Sequence, residues 1–293
     1  GTFDLEPGKR PQHFRRTFEA LRTIEWDFGA SGESLHDAAR RVWRGTLACV
    51  SQIDDVFGRL LQFLDDRGLA DNTIVIYGGD HGGYHTVHGL AEKAPGICSD
   101  AVCRVPMIWR VPGVTREGAT CDALVENVDI APTLAALCGL PPMDWADGMD
   151  ISGLLRGETK AVREVAVTEN PWSKSLRWGP WRFVHYQREL FAGEDGAPGG
   201  EPDGDIGELY NIVEDPDETE NLYYDPAHAD TVNEARRLLL EWLIRTTRVV
   251  TSHPAINNEN ARWGKRTYPL SGDGRAPNPI QPRYRDSNSR NYL

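Results

Sequence analysis

Cysteine is scarce in this chain. The 293 residues hold five, Cys49, Cys98, Cys103, Cys121 and Cys138, and none forms a C-x-x-C pair. An odd number without repeating spacing argues against a disulfide framework and against a zinc knuckle. Lysine is equally rare: Lys9, Lys93, Lys160, Lys174 and Lys265 are the full set, so positive charge rests on arginine. Basic charge as a whole is short, and the formal net charge is −12. That balance removes the electrostatic basis for nonspecific attraction to nucleic acid or to an anionic membrane surface. No apolar run approaches the roughly 20 residues of a bilayer-spanning helix. No signal-peptide pattern opens the chain, and no internal repeat is visible.

What is present is an ordinary globular balance, 40% hydrophobic and 26% charged. Such a chain can bury a sizeable core and form one large α/β domain, or a domain with a satellite. Residues 1–32 read as loop and short helix. From about Ser34 to Arg67, Leu35, Val42, Leu47, Val50, Ile53, Phe57, Leu60, Leu61 and Leu64 recur mainly three or four apart, which predicts a long amphipathic helix. Ser34 or Asp37 can cap its start, and Gly68 is a natural stop. Thr73–Tyr77 is a β-branched apolar run suited to a strand covered on both faces. Val105–Val111 is a second such run. Residues 78–104 between them form a long loop, and long connections in compact domains tend to be functional. NVDIAPTLAALCGLPP predicts a helix with Asp129 as its cap and Pro132 in the first turn. Cys49 and Cys138 fall on apolar helical patterns and are expected as small core residues. Helix, strand, loop, strand, helix is the grammar of a sheet with helices on its faces.

The texture changes after about residue 160. Glu164–Thr168 reads as a strand. Ser175–Trp178 and Trp181–Gln187 flank Gly179–Pro180, a hairpin signal. Residues 192–207 are rich in glycine and acid and read as a surface loop. GELYN is a short strand, and Thr231–Val250 is an amphipathic helix with Val232, Ala235, Leu238, Leu239, Trp242 and Leu243 on one side. These pieces predict a small antiparallel sheet with a covering helix. From Thr251 the chain is rich in proline, asparagine and arginine and reads as an extended tail.

The chemistry concentrates in IVIYGGDHGGYHTVHGLAEK, residues 74–93. In open α/β sheets, ligands collect beyond the carboxyl ends of strands, where Asp80 follows Tyr77 by three residues. Gly78, Gly79, Gly82 and Gly83 let the backbone turn sharply and approach a ligand. A carboxylate and an imidazole on adjacent residues can reach one divalent ion, so Asp80 and His81 are candidate metal ligands. The oxygen suits a hard ion; the nitrogen tolerates zinc, manganese or iron and is less usual for calcium. Lys93 offers a point charge for an anionic substrate. Each residue has an ordinary alternative: a turn cap, a solvated imidazole, a solvated amine. Their grouping in one loop after a strand points to function. His85 and His88 lie in the same loop as further candidates.

TIVIYGGDHGGYHTVHGLAEK resembles the strand–DHG–HG–K segment of the sulfatases of the alkaline-phosphatase-like superfamily. IDDVFGRLLQFLDDRGLADNTIVI, RVPMIWRVPG, VENVDIAPTLAALCGLPP, DGMDISGLL, SLRWGPWRFVHY and GELYNIVEDPDETENLY resemble further family pieces in the family's order, over roughly residues 40–245. The resemblance implies an alkaline-phosphatase-like α/β sheet with flanking helices, here partial, plus a small antiparallel C-terminal subdomain with a covering helix. The implied division is 1–160 for the C-terminal part of the core, 161–250 for the subdomain and 251–293 for the tail. It implies hydrolysis of sulfate esters, with Asp80 and His81 on one divalent metal (calcium, or manganese or zinc given the histidine). Lys93 would contact the ester's anionic oxygens, and His88 would support it. The Asp–His pair with its lysine is closer in style to the phosphonate monoester hydrolase and choline-sulfatase-like branch. A phosphonate or phosphate ester hydrolase is therefore the alternative reading, with His85 or His88 recruited as an extra ligand. A noncatalytic module that keeps the scaffold is a third.

The family's nucleophile is a formylglycine matured within C/S-x-P-x-R. The five cysteines stand in CVSQI, CSDAV, CRVPM, CDALV and CGLPP, and the nearest serine version is SHPAI at Ser252; none fits. The family's early aspartate pair is absent too, and the context of His13 does not match its substrate histidine. The expectation is that Gly1 is an internal start, with the nucleophile-bearing N-terminal half upstream or on another chain. The chain alone is then expected to be inactive and poorly soluble, because a sheet without its early strands exposes an apolar face.

Overall fold

The computed structural model describes residues 32, 34–90, 98–143, 146–170, 173–186 and 206–246. Residues 1–31, most of the expected 192–207 loop and the expected tail lie outside these, as does Lys93. The chain divides into two compact units, 1–127 with 151–239, and 128–150 with 240–293. The candidate site belongs to the first.

Helix α1 spans Leu35–Asp66. Ser34 caps it: its hydroxyl accepts the Asp37 amide at 3.2 Å, which satisfies one of the orphan donors of the first turn. At the other end Gly68, at φ +63°, takes the left-handed conformation that ends the helix. The C-terminal turns of α1 make a small core. Leu64 packs with Ala70 and Val75, and Phe57 and Leu61 press against them. Strand β1, Val75–Gly78, pairs antiparallel with β2, Met107–Arg110, with Ile76 opposite Trp109 and Gly78 opposite Met107. The Phe57 ring meets Tyr77 of β1 edge-on at 5.5 Å. Further along α1, Leu47, Val50, Ile53, Val56 and Leu60 are all about half exposed, and Ile108 of β2 is 62% exposed. Cys49 is exposed rather than in a core, because that stretch of α1 has no layer over it among the described residues.

Helix α2 is a single turn, Asp100–Cys103, in the β1–β2 connection. In the second unit, α3 spans Ile130–Leu137. Asp129 does not cap it as expected. Its buried carboxylate accepts the Met149 amide at 2.7 Å, so it ties down a following segment instead. Cys138, just past α3, is exposed, another departure from expectation. Helix α4 spans Ser152–Arg156 in the first unit.

The second sheet is an antiparallel meander of β3, Val165–Glu169, β4, Ser173–Trp178, β5, Trp181–Tyr186, and β6, Gly207–Asn211. Gly179, at φ +46°, turns β4 into β5 and sets the register Trp178 to Trp181. Leu176, Phe183, Val184 and Leu209 are fully buried. Glu208, buried on β6, accepts the hydroxyls of Tyr186 and Tyr210 at 2.9 and 2.8 Å, so the core carboxylate is solvated by phenols instead of water. Helix α5, Ala229–Thr246, buries Val232, Ala235 and Leu239, and its Arg236 donates to the Tyr223 hydroxyl at 2.8 Å.

Candidate metal centre

The loop after β1 is fixed by backbone bonds to the approach of β2. Gly79 N donates to Pro106 O at 3.3 Å, and Gly82 N to Val102 O, the last turn of α2, at 2.8 Å. A Cβ at Gly82 would lie 2.1 Å from the Ala101 carbonyl oxygen. Glycine is therefore required for close approach to α2, where the sequence led one to expect approach to a ligand. Beyond it, Tyr84 and Leu90 form a buried knot with Ala101 and Val102 of α2. The knot bends the chain hard: His85, Thr86 and His88 all have positive φ. Such strain persists only where the surroundings impose it, and it clusters at functional sites.

Asp80 and His81 stand at the outer lip of this loop. Asp80 Oδ1 accepts the His81 amide at 2.9 Å. His81 Nδ1 lies 2.8 Å from the Gly82 carbonyl oxygen. A carbonyl can only accept, so Nδ1 donates here, and Nε2 is the ring nitrogen left to face a cation. That Nε2 lies 3.6 Å from Asp80 Oδ2. Two donors at zinc-like bond lengths on one tetrahedral ion stand about 3.4 Å apart, so the pair fits a shared cation in spacing and donor type. Both side chains reach solvent, Asp80 the more. Among the described residues no third histidine, cysteine, aspartate or glutamate joins them in a metal-holding group. The remaining ligands of any ion would come from elsewhere.

The other candidates are placed unequally. His88 is buried at the base of the loop, its ring edge-on to Tyr84 at 6.1 Å. His85 folds back on Gly83, and its ring lies 6.1 Å from that of Trp43. Lys93 lies outside the described residues. One contributor was missed by the sequence reading. Asn127 donates its amide to Gly79 O at 2.9 Å and to Asp80 O at 3.4 Å, holding the loop's backbone beside the ligand pair. It is 47 residues away from Asp80 with no local pattern to mark it.

A second unforeseen feature seats α2 beneath the loop. Arg182 of β5, buried, lies 2.8 Å from Glu218 through Nε, pairs with Asp100 through its other arm and donates to the Ser175 hydroxyl at 3.0 Å. Glu218, also buried, accepts the Asp100 amide at 3.0 Å. The four-stranded sheet thus grips the start of the helix whose end receives Gly82.

With this geometry in place, comparison with known proteins is informative. Residues 12–140 match the model of the sulfatase family. The chain is 28% identical over 210 residues to N-acetylglucosamine-6-O-sulfatase of Bacteroides thetaiotaomicron, covering 68% of this chain and 35% of that enzyme. Its fold matches a protein solved in complex with its substrate D-glucosamine-2-N,6-O-disulfate, at TM-score 0.57 and 27% identity, over 68% of this chain and 39% of that one. It also matches the phosphonate monoester hydrolase of Silicibacter pomeroyi, at TM-score 0.67 and 19% identity, over 81% and 48%. The chain thus spans less than half the length of these relatives. Over residues 12–140 the chain is similar to the sulfatases, and its fold is the partial α/β fold of its alkaline-phosphatase-like neighbours.

Proposed function

We propose that this chain is part of a metal-dependent hydrolase of sulfate esters, with Asp80 and His81 as two ligands of one divalent cation. The observation that carries the proposal is the 3.6 Å spacing of Asp80 Oδ2 and His81 Nε2 beyond the end of β1. When bound, the cation would polarise an ester oxygen and lower the pKa of a nucleophile. The chain's own part is to hold that ion. Asp80 would bring negative charge and His81 its Nε2, with Nδ1 held by Gly82 O, and Asn127 fixes the backbone that carries both. Lys93 would set a positive charge against the ester's anionic oxygens as charge builds on them. His88, packed beneath the loop, would support its shape.

No C/S-x-P-x-R motif occurs in the sequence; on this reading the nucleophile, a formylglycine, would be supplied by an N-terminal half. The half-exposed apolar stripe of α1 from Leu47 to Leu60, with Ile108, is the surface that half would cover. A sulfate ester is favoured over a phosphonate. The sulfatase likeness rests on shared sequence, 28% over 210 residues, whereas the likeness to the phosphonate hydrolase, at 19% identity, is one of fold.

The test uses the whole enzyme with paired aryl sulfate and aryl phosphonate substrates. Asp80→Asn and Lys93→Ala should each lower kcat/KM on the sulfate by about 10²-fold or more. The Asp80 variant should also lose divalent-cation affinity in calorimetry. Variants that keep turnover within a few-fold of the parent would end the reading.

A further inference from the structure

Cys98 and Cys103 bracket α2, one before its first residue and one at its last. The sequence separation hides the fact that their side chains meet: Cys103 packs against the buried cluster of Cys98, Val184, Tyr186 and Ile206, and the two thiols act on each other's ionisation. Cys98 is buried, yet its surroundings are those of an anion. Asn170 Nδ2 donates to Cys98 Sγ at 3.1 Å. The Ser173 hydroxyl lies 3.6 Å from the same sulfur. The Arg182 guanidinium adds positive charge nearby. Apolar burial alone would push a thiol up. Here Cys103, with help from Ser173, Arg182 and Asn170, outweighs burial and holds Cys98 below the ordinary thiol range. Cys103, its half-buried neighbour, is pushed up. One sulfur is prepared as a thiolate and the other waits beside it as a thiol, the arrangement of an attacking and a resolving cysteine.

We propose that Cys98 and Cys103 are an oxidation-sensitive thiol pair that closes to a disulfide across α2 when the protein meets a peroxide. The Cys98 thiolate attacks one oxygen of hydrogen peroxide. An S–O bond forms, the O–O bond breaks, and the departing hydroxide takes up the proton released by ionisation, giving water. The Cys103 sulfur then attacks the Cys98 sulfenic acid. An S–S bond forms, the S–O bond breaks, and hydroxide leaves with the Cys103 proton as a second water. Two thiols are oxidised, one peroxide is reduced, and atoms balance. The new bond would tie together the two ends of the helix whose Val102 carbonyl receives Gly82. Neither step uses Asp80, His81 or a cation, so the proposal stands or falls independently of the hydrolase reading.

Trypsin places both cysteines on one peptide, residues 94–104, between Lys93 and Arg104. The whole protein is treated with low hydrogen peroxide, quenched with iodoacetamide and digested without reductant. The expected peptide 94–104 is two hydrogens lighter and loses both alkyl groups, and it regains them after reduction. The exposed Cys49, Cys121 and Cys138 serve as internal references. Recovery of 94–104 with both cysteines alkylated, at a dose that oxidises Cys121, overturns the proposal. So does oxygen on either sulfur without closure. In Cys103→Ser, Cys98 should stop at the sulfenic acid and be trapped by dimedone; a Cys98 that stays alkylatable and unlabelled overturns it. Should that variant not fold, the mapping of the parent chain decides.

Discussion

Arg182 offers the sharpest quantitative test of how the site is built. Arg182→Met keeps the length of the side chain and removes the charge. Glu218, 2.8 Å away and only 2% exposed, is then left as a buried carboxylate without its cation. Breaking a buried pair from one side costs about 3–5 kcal/mol. The bond to Ser175 is also lost, worth about 1 kcal/mol. Asp100, paired with the same guanidinium, is partly exposed and recovers water, so its share is small. The sum is about 4–6 kcal/mol, a large part of the stability of any domain of this size. The assay is equilibrium urea unfolding of the whole protein followed by tryptophan fluorescence, with Trp178 and Trp181 reporting on the hairpin. The midpoint should fall with an unchanged slope. The second variant is Arg182→Met with Glu218→Gln. Glutamine keeps an oxygen for the Asp100 amide and removes the stranded charge, so the double variant should regain about half the loss, a strongly non-additive pair. A single-variant cost below about 1 kcal/mol, or a double variant equal to the sum of the singles, would refute the clamp.

Gly82→Ala should destabilise by about 1–3 kcal/mol, because its Cβ would meet the backbone oxygen of Ala101 at 2.1 Å and no rotamer relieves that. Gly58→Ala, inside α1 with open space around it, should stabilise by about 0.5–1 kcal/mol. Thermal melts of the two variants separate a space requirement from ordinary glycine entropy, and equal signs would contradict the packing at Gly82. Alkaline pH supplies a further check. Burial holds the fully buried Tyr84 and Tyr186 phenols well above their ordinary range. Their contribution is complete below the unfolded tyrosine value and is lost as pH rises toward the folded one, since the unfolded chain releases protons that the native chain retains. Stability should therefore fall above about pH 10 by up to about 1.4 kcal/mol per pH unit for each tyrosine. Tyr84→Phe should flatten that slope in urea titrations between pH 9.5 and 11 by one such increment; an unchanged slope would mean the ring is hydrated.

The parts that were legible from sequence are those fixed by neighbours in the chain. Ser34 and Gly68 bound α1 because a cap and a left-handed stop act within one turn. Gly179–Pro180 announced the β4–β5 hairpin for the same reason. Asp80 and His81 could be paired on paper because adjacent residues after a strand cannot be far apart. The failures share a cause as well. The pattern around Asp129 is that of a cap, but the carboxylate is claimed by Met149, 20 residues on, and nothing local records that competition. Helix α2 is one turn inside a long loop, too short for any period to show. Its grip by Arg182 and Glu218 joins positions 82 and 118 residues from Asp100.

Cys49 shows the deeper limit. Periodicity identifies the face of α1 that is apolar, and part of it is wet: Val50, Ile53 and Leu60 fall along it, each about half exposed. Periodicity does not say what covers that face, and Cys49 is solvent-exposed with no layer over it among the described residues. A stripe of this length costs solvation free energy wherever it meets water, about 25 cal/mol for each Å² of apolar surface. Selection for a helix that keeps its apolar residues in register, yet leaves them wet in isolation, makes physical sense when the register is read by a partner surface. The same reasoning applies to the ligand pair. On the proposed function, Asp80 and His81 would be two members of a coordination shell, and the surface that covers the stripe would bring the others. The apolar stripe and the proposed ligand pair would then have one explanation, and neither would require a special feature of its own.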